Sequence, residues 1–95
     1  MKLSISIDAA ISVKTVLDFV ESKNTKGSGK RWFRKLEKFL VGIQQIHSSV
    51  PLCKYPPFRE RNFRCVIYKD WVIAFKADKN SLVIKAFVYG PNLNY

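Results

Sequence analysis

Acidic residues, histidine and cysteine are all scarce in this 95-residue chain, and each shortage removes a class of chemistry. The single histidine, His47, and the two cysteines, Cys53 and Cys65, make neither a zinc set nor a C-x-x-C redox pair, so no metal and no cofactor are implied. Cys65 falls in a predicted strand and reads as a buried small apolar residue. A Cys53–Cys65 disulfide is possible by count but not expected inside a cell. Met1 is not followed by a basic stretch and an apolar core of leader type. The longest apolar run, 39–43, is far short of the roughly 20 residues of a membrane span. The expectation is a cytoplasmic chain with no membrane partner. Repeats and low-complexity segments are also absent. What remains, 47% hydrophobic and 25% charged, is one globular domain over residues 1–95.

The shortage of acid matters most. Seventeen Lys and Arg stand against seven Asp and Glu, a net charge of +10, and the cations are clustered. That balance points to a polyanionic partner, and RNA, DNA, a ribosome, an acidic membrane or an acidic protein would all qualify.

Lys2–Ile7 alternates polar and apolar residues and reads as a half-buried strand. Asp8 is placed to cap a helix carrying Val13, Val16, Leu17 and Val20 on one stripe and ending near Lys23. Asn24–Gly29 is a turn by composition. From about Lys30 to His47, Trp32, Phe33, Leu36, Phe39, Leu40, Ile43 and Ile46 form the strongest amphipathic pattern in the chain, with Lys30, Arg31, Arg34, Lys35 and Lys38 opposite. Ser48–Pro51 stops this helix, and Pro56-Pro57 keeps the connection extended, so Leu52–Pro57 is expected to be a loop.

Residues 58–76 then read as a strand hairpin turning at Lys69-Asp70. Arg59, Arg61, Arg64 and Lys69 crowd its first half. A last strand, Leu82–Tyr89, has Leu82, Ile84, Ala86 and Val88 on one face and Val83, Lys85, Phe87 and Tyr89 on the other. The order β-α-α-β-β-β predicts an α+β fold, a helical hairpin packed on a small, mostly antiparallel sheet. Its opposite face would stay open, with Arg64 and Tyr89 pointing into it.

Ile5-Ser-Ile-Asp-Ala9, the Gly27–Leu40 helix, Phe63-Arg-Cys-Val-Ile-Tyr-Lys69, Trp71–Lys76 and the strand ending at Tyr89 occur in the order seen in one toxin superfamily. Across nearly its whole length the chain resembles the RelE/ParE toxins of type II toxin–antitoxin systems. The resemblance implies a growth-inhibiting toxin held by a cognate antitoxin. It also implies one of two targets: the ribosome with its messenger RNA, cut by an endoribonuclease, or DNA gyrase, poisoned by binding. A basic nucleic-acid-binding or decayed toxin-like domain without toxicity is the alternative.

RNA cleavage by the 2′-hydroxyl needs a base, cations on the phosphate and an acid for the leaving oxygen. Arg64, Lys76 and Tyr89 are the catalytic candidates, Tyr89 because nucleolytic relatives place a Tyr or His at the end of the last strand. Glu60 is a candidate base or an ion-pair partner of a neighbouring arginine. Arg59, Arg61, Arg64 and Lys69 are the target-binding candidates, since guanidinium groups hold phosphate in a bidentate fashion. The last strand departs from the nucleolytic pattern. Many relatives close on His-Gly-Arg or a similar basic motif, and this chain has Tyr89-Gly90-Pro91.

Overall fold

The computed structural model describes residues 2–93. Strand β1, Lys2–Ile5, leads into helices α1, Ile7–Lys23, and α2, Ser28–Ile46. After a 3-10 turn at His47–Ser49 come a short helix α3, Pro56–Glu60, and strands β2, Arg64–Tyr68, β3, Trp71–Ala77, and β4, Ser81–Tyr89. The sheet order is β1-β4-β3-β2. β1 runs parallel to β4, and the other two pairings are antiparallel. The parallel pair is possible because the helical hairpin supplies the long connection it needs.

α1 starts two residues earlier than expected. Ser6, not Asp8, is the cap: its hydroxyl accepts from the Ala9 N–H at 3.2 Å, and Asp8 sits in the first turn. The same hydroxyl donates to the Lys85 carbonyl at 3.2 Å. That contact serves a bulge in β4. Ala74 opposes Ala86 while the next residue, Phe75, opposes Ile84, so Lys85 is the extra residue. The bulge corrects the face assignment in β4. Leu82 and Ile84 share the helix-covered face with Phe87, while Ala86 and Val88 turn to the other side.

The α1–α2 turn is held by backbone geometry and one carboxylate. Gly27 has φ +87°, a left-handed conformation that favours glycine. Glu21 accepts from the Gly27 and Gly29 N–H groups at 2.9 and 3.0 Å, serving two donors that α2 itself leaves unpaired. Gly29 lies at the crossing of the two helices, where a Cβ would stand 3.0 Å from the Leu17 carbonyl.

The main core lies between the helices and one face of the sheet: Val13, Leu36, Leu40, Ile43, Ile73, Phe75, Leu82, Ile84 and Phe87 are buried there. Aromatic contacts extend it, with Trp71 stacked on Phe87 at 4.7 Å and Phe39 against Tyr68 at 4.8 Å. A second cluster covers part of the other face: Cys53 and Phe63 close over Ala74, with Phe58 and Ala86 beside them. The back of the sheet is therefore only partly open.

Two expectations for residues 51–65 are corrected. Residues 56–60 are helical rather than loop and strand: Pro56 and Pro57 occupy the first helical positions, where proline has no bond to lose. Cys53 and Cys65 are disulfide-bonded. The segment before α3 runs back along β2, with Leu52 opposite Arg64, the Cys53 N–H donating to the Phe63 carbonyl at 2.9 Å and the Cys65 N–H to the Pro51 carbonyl at 3.3 Å. This local pairing brings the two Cα atoms to 4.7 Å although the residues are 12 apart in sequence.

Candidate target-binding edge

The disulfide-closed segment is what positions the basic residues. α3 stands beside the start of β2, and an aromatic run, Tyr55 on Phe58 at 4.9 Å and Phe58 on Phe63 at 6.0 Å, seats it on the back of the sheet. Arg59 lies in the last turn of α3 and Arg61 follows at its C-terminal cap, both exposed. Cations at a helix C-terminus sit favourably against its dipole. Asn62, with φ +61°, turns the chain so that Phe63 enters the core and β2 can begin. Glu60 is exposed between the two arginines, and among the described residues the ion pair formed is Lys14–Asp18, so Glu60 bridges neither.

Arg61 lines a shallow pocket that the sequence did not reveal. Lys85, Asp8 and Ser12 line it too, over a floor of Phe58, Phe63 and Ala86. Lys85, the bulged residue of β4, lines it from the sheet. Nothing in a period-two pattern marks that irregularity. The pocket thus joins a cation of the α3 edge to one of the sheet.

The catalytic candidates do not share a site. Arg64 opposes Phe75, and Tyr89 opposes Trp71, so both lie on the helix-covered face and not on the face expected to be open. They are four ladder rungs apart on strands separated by β3, which puts about 13 Å between them along the strands alone. Arg64 is half-buried and donates from Nη1 to the Val50 carbonyl, tying β2 to the end of the 3-10 turn. Tyr89 is 41% exposed and rests edge-on against Trp71 at 5.4 Å. Lys76, opposite Val83, is exposed on the other face. Lys69 stands at the hairpin tip in a left-handed conformation with its ammonium 5.6 Å from the Tyr68 ring, at the far end of β2 from Arg59 and Arg61.

Among the described residues no group of three or more His, Cys, Asp or Glu is placed to hold a metal ion, and no helix is long and apolar enough to cross a membrane.

The fold itself has a solved counterpart. A chain of the chromosomal ParDE TA system from P. aeruginosa matches at a TM-score of 0.74, over 94% of this chain and 95% of that one, at 12% identity. The fold is shared with that chain from end to end. No family model and no curated protein matches the sequence. The likeness is therefore carried by topology: the helical hairpin over a four-stranded sheet, with β1 beside β4.

Proposed function

We propose that this chain is the toxin of a type II toxin–antitoxin system, inhibiting growth by binding its target through the α3 edge, and neutralised by a cognate antitoxin. The observation that carries the reading is end-to-end agreement in fold with a ParDE system, in a chain with a net charge of +10. The separation of Arg64, Tyr89 and Lys76 favours binding over cleavage. A base, an acid and phosphate-holding cations must meet at one phosphate, and these three residues lie on two faces and two ends of the sheet. DNA gyrase is the target this reading favours. Arg59 and Arg61 are its target-binding residues.

The second reading is a ribosome-dependent endoribonuclease, and Arg61 with Lys85 over one pocket is the observation in its favour. Controlled expression distinguishes the two. A gyrase poison arrests growth with an SOS response, loss of supercoiling and intact transcripts. A nuclease arrests growth with cleaved messenger RNA. Unimpeded growth at high expression refutes both.

A further inference from the structure

α2 is amphipathic in an unusually one-sided way. Trp32, Phe33, Leu36, Phe39, Leu40 and Ile43 face the core or its margin. Lys30, Arg31, Arg34, Lys35 and Lys38 are all exposed. At about 100° per residue these five cations occupy a sector of about 140°. From Lys30 to Lys38 they span about 12 Å, and cations four apart are separated by about 6 Å.

Little on the protein balances them. Among the described residues the ion pair formed, Lys14–Asp18, lies on α1. Glu21 is engaged by the Gly27 and Gly29 N–H groups at the start of α2, and Glu37 lines the groove beside Leu3 and Ile5. Arg31 donates from Nη2 to the Thr25 hydroxyl and lies close enough to Glu21 for its charge to act on that carboxylate, so it is the partly balanced member of the five. The first turn of α2 contains no acid and does contain Lys30. A cation there opposes the helix dipole, so helix stability does not account for its presence.

We propose that the outer face of α2 docks the phosphate backbone of nucleic acid, without reading its sequence. The aromatic residues of α2 are turned to the core, so none is left on this face to stack on a base, and lysine and arginine contacts to phosphate fix position rather than sequence. An acidic protein is the less fitting occupant. Protein interfaces centre on apolar anchors and are depleted in lysine, whereas the stripe from Lys30 to Lys38 holds three lysines, and the exposed apolar side chain on the same face is Val41, one turn beyond its end. The surface is distinct from the α3 edge and does not rest on the toxin reading. A chain with no toxicity would still bind.

The test measures anisotropy of a labelled 20-base-pair RNA duplex, and of a DNA duplex of the same sequence, with the full chain across a NaCl series. Five phosphate contacts predict a slope of log K against log salt near about −4.5 or steeper. Lys30→Ala/Arg34→Ala/Lys38→Ala is expected to weaken binding at least about tenfold at low salt and to reduce the slope by about three, with an unchanged circular dichroism melt because alanine favours helix. Should the triple variant melt early, Lys38→Ala alone is expected to reduce the slope by about one. Binding to only one duplex, lost in the variant, supports the proposal and names the nucleic acid. An unchanged slope in a folded variant overturns it. So does binding of a polyglutamate peptide with no binding of either duplex, which would assign the face to an acidic protein.

Discussion

Reducing the Cys53–Cys65 bond perturbs the one covalent link that holds the α3 edge to the sheet. The bond joins residues 12 apart. The loop-closure entropy it removes from the unfolded chain is then worth about 3 kcal/mol at 25 °C. For a domain of 95 residues the unfolding entropy near the midpoint is about 200 cal/mol/K, so that energy is a shift of about 15 °C in Tm. Reduction is not expected to unfold the chain. Two backbone hydrogen bonds still tie residues 51–53 to 63–65, and Phe63 remains buried over Ala74. The assay is calorimetry of oxidised protein, its bond verified by mass spectrometry, with and without a phosphine reductant. Cys53→Ala/Cys65→Ala should melt near the reduced form. Oxidised and reduced proteins melting within about 4 °C of each other would show that the bond does not restrain the unfolded chain as argued.

Three further outcomes are expected. Phe75→Ala, at a fully buried position under both helices, should cost about 3–5 kcal/mol in urea unfolding, and a cost under about 1 kcal/mol would misplace the core. Arg64→Ala should cost about 1–3 kcal/mol because it strands the Val50 carbonyl, whereas Arg59→Ala, on the surface, should stay within about 0.5 kcal/mol; equal effects would contradict the assignment of Arg64 as a tether. The Glu21 carboxyl is held below its ordinary range, first by the Gly27 N–H and then by the Gly29 N–H. Its folded-state value is depressed, so the stability it adds is present above the ordinary glutamate value of about 4.3 and is lost as pH falls through the folded value. Glu21→Gln should therefore flatten the acid limb of the urea midpoint against pH, leaving the share due to Asp78, whose carboxyl is lowered by the Asn80 and Ser81 N–H groups. An acid limb as steep as wild type would refute it.

The architecture was legible where hydrophobic period and turn residues agreed. α2 carries its stripe and its basic face openly, and the Lys69-Asp70 turn between alternating strands marks the hairpin. Three features were hidden for physical reasons. Pro56 and Pro57 signal an irregular connection, yet proline at the first positions of a helix is equally at home, so α3 looked like loop. The β4 bulge shifts every later side chain to the other face, and no residue type announces it; Phe87 and Tyr89 were misplaced together for that reason. The disulfide depends on Leu52 folding back opposite Arg64, a pairing of one bridge that leaves no alternation to read.

The site was only half legible. Arg59 and Arg61 could be read as exposed cations, but the face on which Arg64 lies is fixed by register, through Phe75. The α1 stripe was legible through Val13, which is buried, and Val16, which packs against the core, while Ile7, Ile11 and Phe19 stay exposed at 80%, 61% and 61%.

Growth arrest by variants of the full chain tests most directly whether binding at the α3 edge, rather than chemistry at Tyr89, carries the activity. Arg59→Ala/Arg61→Ala is expected to relieve arrest on controlled expression, while Tyr89→Phe and Lys76→Ala arrest growth as wild type does, all at equal expression and with unchanged melts. A folded Tyr89→Phe that no longer arrests growth, beside an Arg59→Ala/Arg61→Ala variant that still does, would contradict the account.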